Sequence, residues 1–436
     1  ETTQEMIKRH EELSCPTSTG LTIEDDQQVN QALEKAYLEA RMKCTFFRGS
    51  CGHEAVQREG TRARQVKTVN GDLTVRLSQG QCTRCGGYAA QGGEFLPAHG
   101  NMSPELEKIT LELVPLMVSF AALSEVWKKT RGLELSHAEI ERIVLYRGQQ
   151  LRTLQQEAYE QDPEPLLQEP PERLYISCDG TFCHAVEPGQ KKLEGRLGMV
   201  FTDQRAEVSK GRFELLEKRY CASFLGKDDL GEQLEREALA FRMEDAKEVS
   251  FVADGERALW DVKAERFPQA RGMLDWNHVS RKLTQALGAI ESPAARQKTA
   301  DQLRTLLWEG KAVEALQQLR CLHTRWAQEA LSERRAKQVK QLAEYIGYLE
   351  ANRPWLIHYA QAQQEGYFVG SSIMESAINH LLATRLKKKR SRRWLREGAD
   401  SVARIITTIE KANGSRRGRN SVKEPPDSPC GFVIRP

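Results

Sequence analysis

Residues 248–290, EVSFVADGERALWDVKAERFPQARGMLDWNHVSRKLTQALGAI, alternate between short apolar runs and amphipathic segments. The apolar runs end at Asp254-Gly255 and at Asp275, which predicts strand, helix, strand, helix with an aspartate at the end of each strand. Ligands of open α/β sheets bind outside the carboxyl ends of the strands, so both aspartates are functional candidates. A structural role is the alternative, because Asp-Gly favours a turn and Asp275 can cap the next helix.

A third aspartate follows an apolar run earlier in the chain. Residues 161–172, QDPEPLLQEPPE, are rich in proline and predict a linker. The next stretch, RLYISCDGTF, alternates apolar and polar residues, which predicts a strand that ends at Asp179. Two further β-like runs, RLGMVFTD and KRYCASFLG, and a helix from about Asp228 to Ala246 give the order βββαβαβα. This order is that of ribonuclease H-like domains, although an ordinary Asp-Gly hairpin at Asp179 stays open.

Residues 44–100 predict a small β module with a metal site. The stretch VKTVNGDLTVRL has Asn70-Gly71 between alternating residues, a strong hairpin signal. The candidate ligands of one structural Zn²⁺ are Cys82 and Cys85 after the hairpin and Cys44, Cys51 and His53 before it. Their spacing resembles a zinc ribbon, except that Arg48 stands where the first knuckle needs a cysteine, so Cys44 or His53 must complete the site. A ribbon that has lost its metal is the alternative.

Residues 101–160 predict helices. One segment ends on Gly132, and Ser136 with Glu139 forms a capping box that opens the next. Two helices around a glycine turn match a helix-turn-helix, whose second helix would enter the major groove of DNA. The candidate DNA contacts on this second helix are Arg142 and Arg147. A helical hairpin with no DNA-binding role stays open.

The C-terminal part predicts helices and a dense basic run. Residues 291–365 predict an all-α insertion, and residues 366–412 predict two helices, the first with Ser372 and Glu375 in capping-box relation. Candidate contacts to the DNA backbone follow in the basic run: Arg385, Lys387, Lys388, Lys389, Arg390, Arg392 and Arg393. A solvated helix end is the alternative for these side chains. Residues 1–43 predict a helical arm that is either exposed or coiled, and residues 413–436 predict a basic tail.

Together these motifs resemble the ISKra group of insertion-sequence transposases, within the Mutator-like DDE transposases. The matching pieces are QCTRCGG, CDGT at Asp179, VADGE at Asp254, LDWNH from Asp275 to His278, and SSIMES at Glu375. The resemblance implies that Asp179, Asp254 and Glu375 are the catalytic DDE triad. It also implies that Asp275 and His278 are the Asp-x-x-His element that Mutator-like enzymes place before the glutamate.

The resemblance implies a DNA transposase that binds terminal inverted repeats, cleaves strands and transfers them to target DNA. Three carboxylates suit two Mg²⁺ or Mn²⁺ ions, which promote phosphodiester hydrolysis and transesterification. The implied partners are double-stranded DNA and further copies of the chain, in a homodimer or larger assembly, because two DNA ends must be joined. Two other classes stay open: a ribonuclease H-like nuclease or resolvase without strand transfer, and a transposase-derived DNA-binding regulator.

Composition is consistent with these expectations. The 436 residues predict a multidomain α/β chain, in which residues 173–290 and 366–412 form a ribonuclease H-like domain around the insertion. Charged residues make up 29%, and neither a membrane span nor a secretory signal is predicted, so we expect a cytoplasmic, nucleoid-associated protein of bacteria with no membrane partner. The ten cysteines are scattered, which favours reduced thiols over a disulfide framework.

Overall fold

The computed structural model describes residues 23–43, 48–49, 53, 56–91, 100–187, 189–209, 212–289, 292–328, 333–370, 372–387 and 393–421. The chain divides into two compact units, one ending at Val144 and one beginning at Leu145. The proline-rich segment predicted as a linker belongs to the second unit. Its Leu166 amide donates to the Ala240 carbonyl at 2.7 Å, and Arg242 Nη1 donates to the Gln168 carbonyl at 2.6 Å.

The first unit contains a four-stranded antiparallel sheet in the order β1-β4-β3-β2. Its strands are β1 (Arg48–Gly49), β2 (Val56–Thr68), β3 (Gly71–Cys82) and β4 (Tyr88–Ala90). The predicted hairpin is confirmed, since Thr68 pairs with Gly71 across a two-residue turn. Gly71 has φ +126°, a conformation that side chains rarely adopt, which accounts for the glycine at this corner.

Helix α1 (Ile23–Lys43) packs on this sheet. Its Leu38 and Met42 contact the buried face of the hairpin, where Val75 is fully buried. Gln31 Nε2 also donates to the Asp72 carbonyl at 2.6 Å. The prediction of an exposed arm is therefore wrong for the described part of residues 1–43, because a few well-spaced apolar residues suffice to dock the helix.

Helices predicted between residues 101 and 160 are observed as α2 (Pro104–Leu113), α3 (Phe120–Arg131) and α4 (His137–Tyr159). Gly132 ends α3 in the left-handed conformation, with φ 62°. The capping box at the start of α4 is confirmed: the Ser136 amide donates to Glu139 Oε2 at 2.9 Å and the Glu139 amide donates to Ser136 Oγ at 3.2 Å. Helix α4 runs across the boundary between the two units.

The second unit is built on a central mixed sheet in the order β11-β10-β5-β6-β9. Its strands are β5 (Arg173–Ala185), β6 (Lys192–Thr202), β9 (Lys218–Ser223), β10 (Glu248–Ala253) and β11 (Arg271–Leu274), with a separate hairpin of β7 (Arg205–Ser209) and β8 (Arg212–Leu215) between β6 and β9. Strands β5, β6 and β9 are antiparallel, whereas β10 runs parallel to β5 and β11 parallel to β10. The predicted succession of antiparallel and then parallel strands is confirmed.

Strand β5 differs from its prediction. It continues through Asp179 and Gly180, which pair with Leu197 and Arg196 of β6, and ends at Ala185. The Asp-Gly dipeptide is therefore not a hairpin turn, and the strand does not end at Asp179. Because β5 pairs with β6 both before and after Asp179, strand pairing holds the backbone at this position.

The second unit's helices cover the sheet and form the insertion. They are α5 (Lys227–Ala240), α6 (Arg257–Arg266), α7 (Trp276–Ala286), α8 (Pro293–Trp308), α9 (Ala312–Gln328), α10 (Glu333–Ala351), α11 (Tyr359–Gln364), α12 (Ser372–Ala377) and α13 (Arg396–Ser421), with short 3₁₀ turns at Met243–Asp245, Leu287–Ala289 and Arg353–Trp355. Helices α5 and α6 cover one face of the sheet, where Leu234 and Leu259 share a buried cluster with residues of β5, β6, β9 and β10 such as Phe251. Helix α7 packs through Val279 and Leu283 against α8, α9 and α10.

The segment after Glu375 is not one continuous α-helix. A π-helix spans Ile378–Lys387, directly after α12, and π-helical turns are frequently found at functional sites. Strand β12 (Arg393–Trp394) then pairs parallel with the end of β5, and α13 starts only afterwards. Residues 413–421 are the part of the predicted basic tail that the structure describes, and they form the C-terminal end of α13. No helix among the described residues is long and apolar enough to span a bilayer.

Candidate metal centre

Strand register aligns three aspartates at one edge of the central sheet. Ala253 of β10 pairs with Cys178 of β5 and with Leu274 of β11. Asp179, within β5, and Asp254 and Asp275, directly after β10 and β11, each follow one of these paired residues, so the three lie next to one another across adjacent strands. The Asp275 amide donates to the Ala253 carbonyl at 2.8 Å, which fixes the edge of this row.

Two of these aspartates form a compact group with His278. Oxygens of Asp179 and Asp254 and a ring nitrogen of His278 all lie within 4.8 Å of one another. Asp179 and His278 are buried, and Asp254 is half-buried. Carboxylate oxygens and an imidazole nitrogen are common ligands of divalent cations, and carboxylate-rich sites favour Mg²⁺ or Mn²⁺.

Asp275 orients His278. One carboxylate oxygen, Oδ1, accepts from the Asn277 amide at 3.0 Å and so caps helix α7, as the structural alternative predicted. The other, Oδ2, bonds Nδ1 of His278. Because Nδ1 is engaged by a fully buried carboxylate, Nε2 is the ring nitrogen that a metal would bind. Asp275 is therefore a positioning residue for His278.

The electrostatics of the group suit a cation. Burial raises the pKa of Asp179 to about 6, and the nearby charges of Asp254 and Asp275 add to this rise, while His278 opposes it. Burial alone would lower the pKa of His278, but its hydrogen bond to Asp275 and the surrounding carboxylate charges raise it. Carboxylates that crowd one another in this way are stabilised when a cation binds between them.

The turn after β10 holds Asp254 in place. Asp254 Oδ1 accepts from the Glu256 amide at 2.9 Å, and Tyr348 Oη donates to the Asp254 carbonyl at 2.9 Å. Gly255 has φ +94°, and a Cβ there would lie 2.6 Å from the Tyr348 ring. The Asp-Gly turn predicted from the sequence is thus present, and it also delivers a carboxylate to the group.

Glu375 lies outside the group that contains Asp179 and Asp254. Among the described residues, the clustered donor atoms at this edge belong to those two aspartates and His278. Glu375, on α12, instead accepts from Arg281 Nη1 through Oε1 at 2.8 Å. The third acid implied by the resemblance is therefore not brought together with the other two in this conformation.

An ion pair beside this group of donor atoms was not predicted from the sequence. Arg196 pairs with Gly180 in the ladder, and its Nη2 bonds Glu256 Oε1 at 2.5 Å and Glu194 Oε1 at 3.0 Å. A Cβ on Gly180 would lie 3.6 Å from Glu256 Oε2, so this carboxylate adjoins the backbone next to Asp179. The sequence does show Glu256 at the end of VADGE. Its partner Arg196 could not be identified from the sequence, because the two meet only through the strand register.

A second group of donor atoms lies in the first unit. His53, Cys82 and Cys85 offer ligand atoms within 4.8 Å of one another, with Cys82 Sγ 3.5 Å from His53 Nδ1. The Gly86 amide donates to the Cys82 carbonyl at 2.8 Å, which folds the Cys-x-x-Cys loop back on itself. Two sulfurs and an imidazole suit tetrahedral zinc. The other candidate ligands, Cys44 and Cys51, lie outside the described residues.

The predicted DNA contacts differ in their surroundings. Arg142 is exposed, whereas Arg147 is half-buried and its Nη1 donates to Gln150 Oε1 at 2.7 Å. Arg385 is 2% exposed, and its guanidinium lies 5.7 Å from the centre of the Trp394 ring. The prediction that Arg385 contacts DNA at the surface is therefore wrong for this conformation. Of the remaining basic residues, Lys387 and Arg393 are exposed. The others lie outside the described residues: Lys388, Lys389, Arg390 and Arg392.

No family model matches the chain, and no curated protein matches its sequence. The motifs and the geometry of the metal centre are thus the grounds on which a function can be argued.

Proposed function

We propose that the chain is a metal-dependent DNA transposase, which cleaves at the ends of an insertion sequence and joins the freed strands to target DNA. The proposal is supported by Asp179 within β5, Asp254 directly after the parallel strand β10, and His278 of α7, whose ligand atoms lie within 4.8 Å of one another. We also propose that the central sheet is ribonuclease H-like. The strand order β11-β10-β5-β6-β9 and the aspartates on β5 and after β10 support this assignment.

The residues of the centre fit Mg²⁺ or Mn²⁺. Asp179, Asp254 and His278 would hold the ion, and Glu375 would join them as the third acid. When bound, a divalent cation activates a water or a 3′-hydroxyl and stabilises charge on the phosphoryl oxygens. Asp275 retains a proton on Nδ1 of His278, so that the other ring nitrogen presents its lone pair. Burial of Asp179 and His278 keeps water away from these donor atoms and strengthens their interaction with charge.

DNA recognition would use the remaining features. Exposed Arg142, Lys387 and Arg393 suit contacts to the phosphate backbone, which position DNA without reading its sequence. The group of His53, Cys82 and Cys85 suits one structural Zn²⁺ that stabilises the small β module. Two DNA ends must be held together for joining, so the active form would contain at least two copies of the chain.

A second candidate is a ribonuclease H-like nuclease or resolvase that cuts DNA without strand transfer. The observation that favours it is the position of Glu375, which pairs with Arg281 and leaves two carboxylates and one histidine in the group. Such a donor set can hold one ion for hydrolysis. A DNA-binding regulator without chemistry is disfavoured, because a buried cluster of this kind has no evident role in DNA binding alone.

A mini-transposon assay separates these functions. The full chain is incubated with Mg²⁺ or Mn²⁺, DNA carrying the element ends and a target plasmid, and products are sequenced. We expect cleaved ends and strand-transfer products that disappear with EDTA and in Asp179→Asn and Asp254→Asn. Asp301→Asn, at an exposed acid of helix α8, is the matched control and should retain activity. Cleavage without joining would favour the nuclease, and end binding without cleavage would favour the regulator.

A further inference from the structure

Helix α7 carries His278 and Arg281 three residues apart. His278 is buried and belongs to the group of donor atoms, and Arg281 follows it by three residues. Residues three apart on a helix are neighbours on one face. Arg281 therefore places a cation one turn beyond the histidine, and its side chain is 51% exposed.

Arg281 holds the acid that the proposed function needs at the metal centre. Its Nη1 lies 2.8 Å from Glu375 Oε1, and the Glu375 side chain is 35% exposed. Without a metal ion, a third carboxylate that approached Asp179 and Asp254 would meet like charge. The ion pair with Arg281 offers Glu375 a favourable alternative, and because both side chains reach solvent the pair is weak enough to exchange.

A DNA phosphate can compete for the same guanidinium. Arginine presents a planar fork of donors that matches phosphate as well as carboxylate, and pairs with either in bidentate geometry. The next residue, Lys282, adds a second cation, with Nζ 4.3 Å from the centre of the Tyr348 ring. The same Tyr348 bonds the Asp254 carbonyl, so Lys282 is linked to the candidate metal centre through this ring.

We propose that Arg281 exchanges Glu375 for a phosphate of the bound DNA strand, and that the released Glu375 then completes the metal site. DNA binding and metal binding would thereby favour one another. The inference rests on the proposed function, since it takes Glu375 as the third metal-binding acid. Arg281 acts through Glu375 and is thus a positioning residue.

The test measures Mn²⁺ affinity of the full chain by calorimetry, without DNA, in Arg281→Gln, Glu375→Gln and the double variant. Removing Arg281 frees Glu375, so Arg281→Gln should tighten Mn²⁺ binding by up to about fivefold, the equivalent of one exposed ion pair. Glu375→Gln should weaken it. In the Glu375→Gln background, Arg281→Gln should have no further effect. Arg281→Lys, which keeps the charge, should bind Mn²⁺ like the unmodified chain.

A duplex DNA of random sequence provides the second arm. It should tighten Mn²⁺ binding to the unmodified chain more than to Arg281→Gln. Arg320→Gln is the matched control, because Arg320 forms a comparable exposed pair with Glu350 on the helical insertion. This variant should change neither affinity nor the effect of DNA.

Three results would overturn the exchange. The first is an unchanged Mn²⁺ affinity in Arg281→Gln, and the second is an equal tightening in the Glu375→Gln background, which indicates a general charge effect. The third is an unchanged affinity in Glu375→Gln while Asp179→Asn loses binding; this removes Glu375 from the site but leaves the metal centre intact. Retained binding in Asp179→Asn would instead contradict the proposed function itself.

Discussion

Asp275→Asn should weaken metal binding without breaking helix α7. Asparagine caps helices about as well as aspartate, so the bond to the Asn277 amide survives. With that oxygen on the cap, the amide NH2 group replaces the oxygen that bonds Nδ1 of His278, so both the hydrogen-bond acceptor and its charge are lost. Substituting a residue that orients a metal-bound histidine typically reduces affinity about 10- to 100-fold, or roughly 1.4–2.8 kcal/mol. The pKa of His278 should fall as well, because burial still lowers it and the raising effect of Asp275 is gone.

The assay combines Mn²⁺ calorimetry with urea unfolding of the full chain. Asp275→Ala should lose metal affinity similarly and in addition lose about 0.5–2 kcal/mol of stability with the cap. Ser292→Ala, which removes the cap of helix α8, is the control and should lower stability without changing Mn²⁺ affinity. Mn²⁺ binding in Asp275→Asn equal to that of the unmodified chain would refute the positioning role of Asp275.

Three further predictions concern other parts of the chain. Burial raises the pKa of Asp179 to about 6, so ionisation destabilises the metal-free fold as pH rises through that value. Asp179→Asn should therefore raise the free energy of unfolding of the metal-free protein at pH 7.5 by up to about 3 kcal/mol. This increase in stability should shrink as pH falls from 6 towards 4. Elemental analysis should find one zinc per chain, lost in Cys85→Ser; intact zinc in that variant would contradict the site. Lys387→Gln should lower the slope of log DNA affinity against log salt by about 0.9, whereas Arg385→Gln should reduce thermal stability instead.

The strands of the second unit could be predicted because their pattern is local. Alternation of apolar residues located β5, short β-like or apolar runs located β6, β9 and β10, and the acids at one sheet edge followed from that order. The continuation of β5 past Asp179 left no such signal, since buried Thr181 is polar and exposed Phe182 is apolar. The Asp-Gly dipeptide favoured an end of the strand here, although the glycine pairs normally in the ladder.

The composition of the candidate metal centre could not be predicted in the same way. Which donors meet depends on strand register and on the rotation of α7, both set by tertiary packing. The capping hydrogen bond of Asp275 fixes where α7 begins, and that start brings His278 inward. Arg281 and Glu375 are 94 residues apart in sequence, so their pairing had no local signal. Burial of Arg385 was hidden for a similar reason, because a basic run predicts exposure unless an aromatic partner such as Trp394 is known.

Pulsed electron paramagnetic resonance of bound Mn²⁺ would show whether Asp179, Asp254 and His278 bind one divalent cation together. We expect a nitrogen coupling from the imidazole in the Mn²⁺ spectrum, absent in His278→Gln, and loss of bound Mn²⁺ in Asp179→Asn. A bound Mn²⁺ without nitrogen coupling, or one that persists in Asp179→Asn, would show that these three side chains do not form the site.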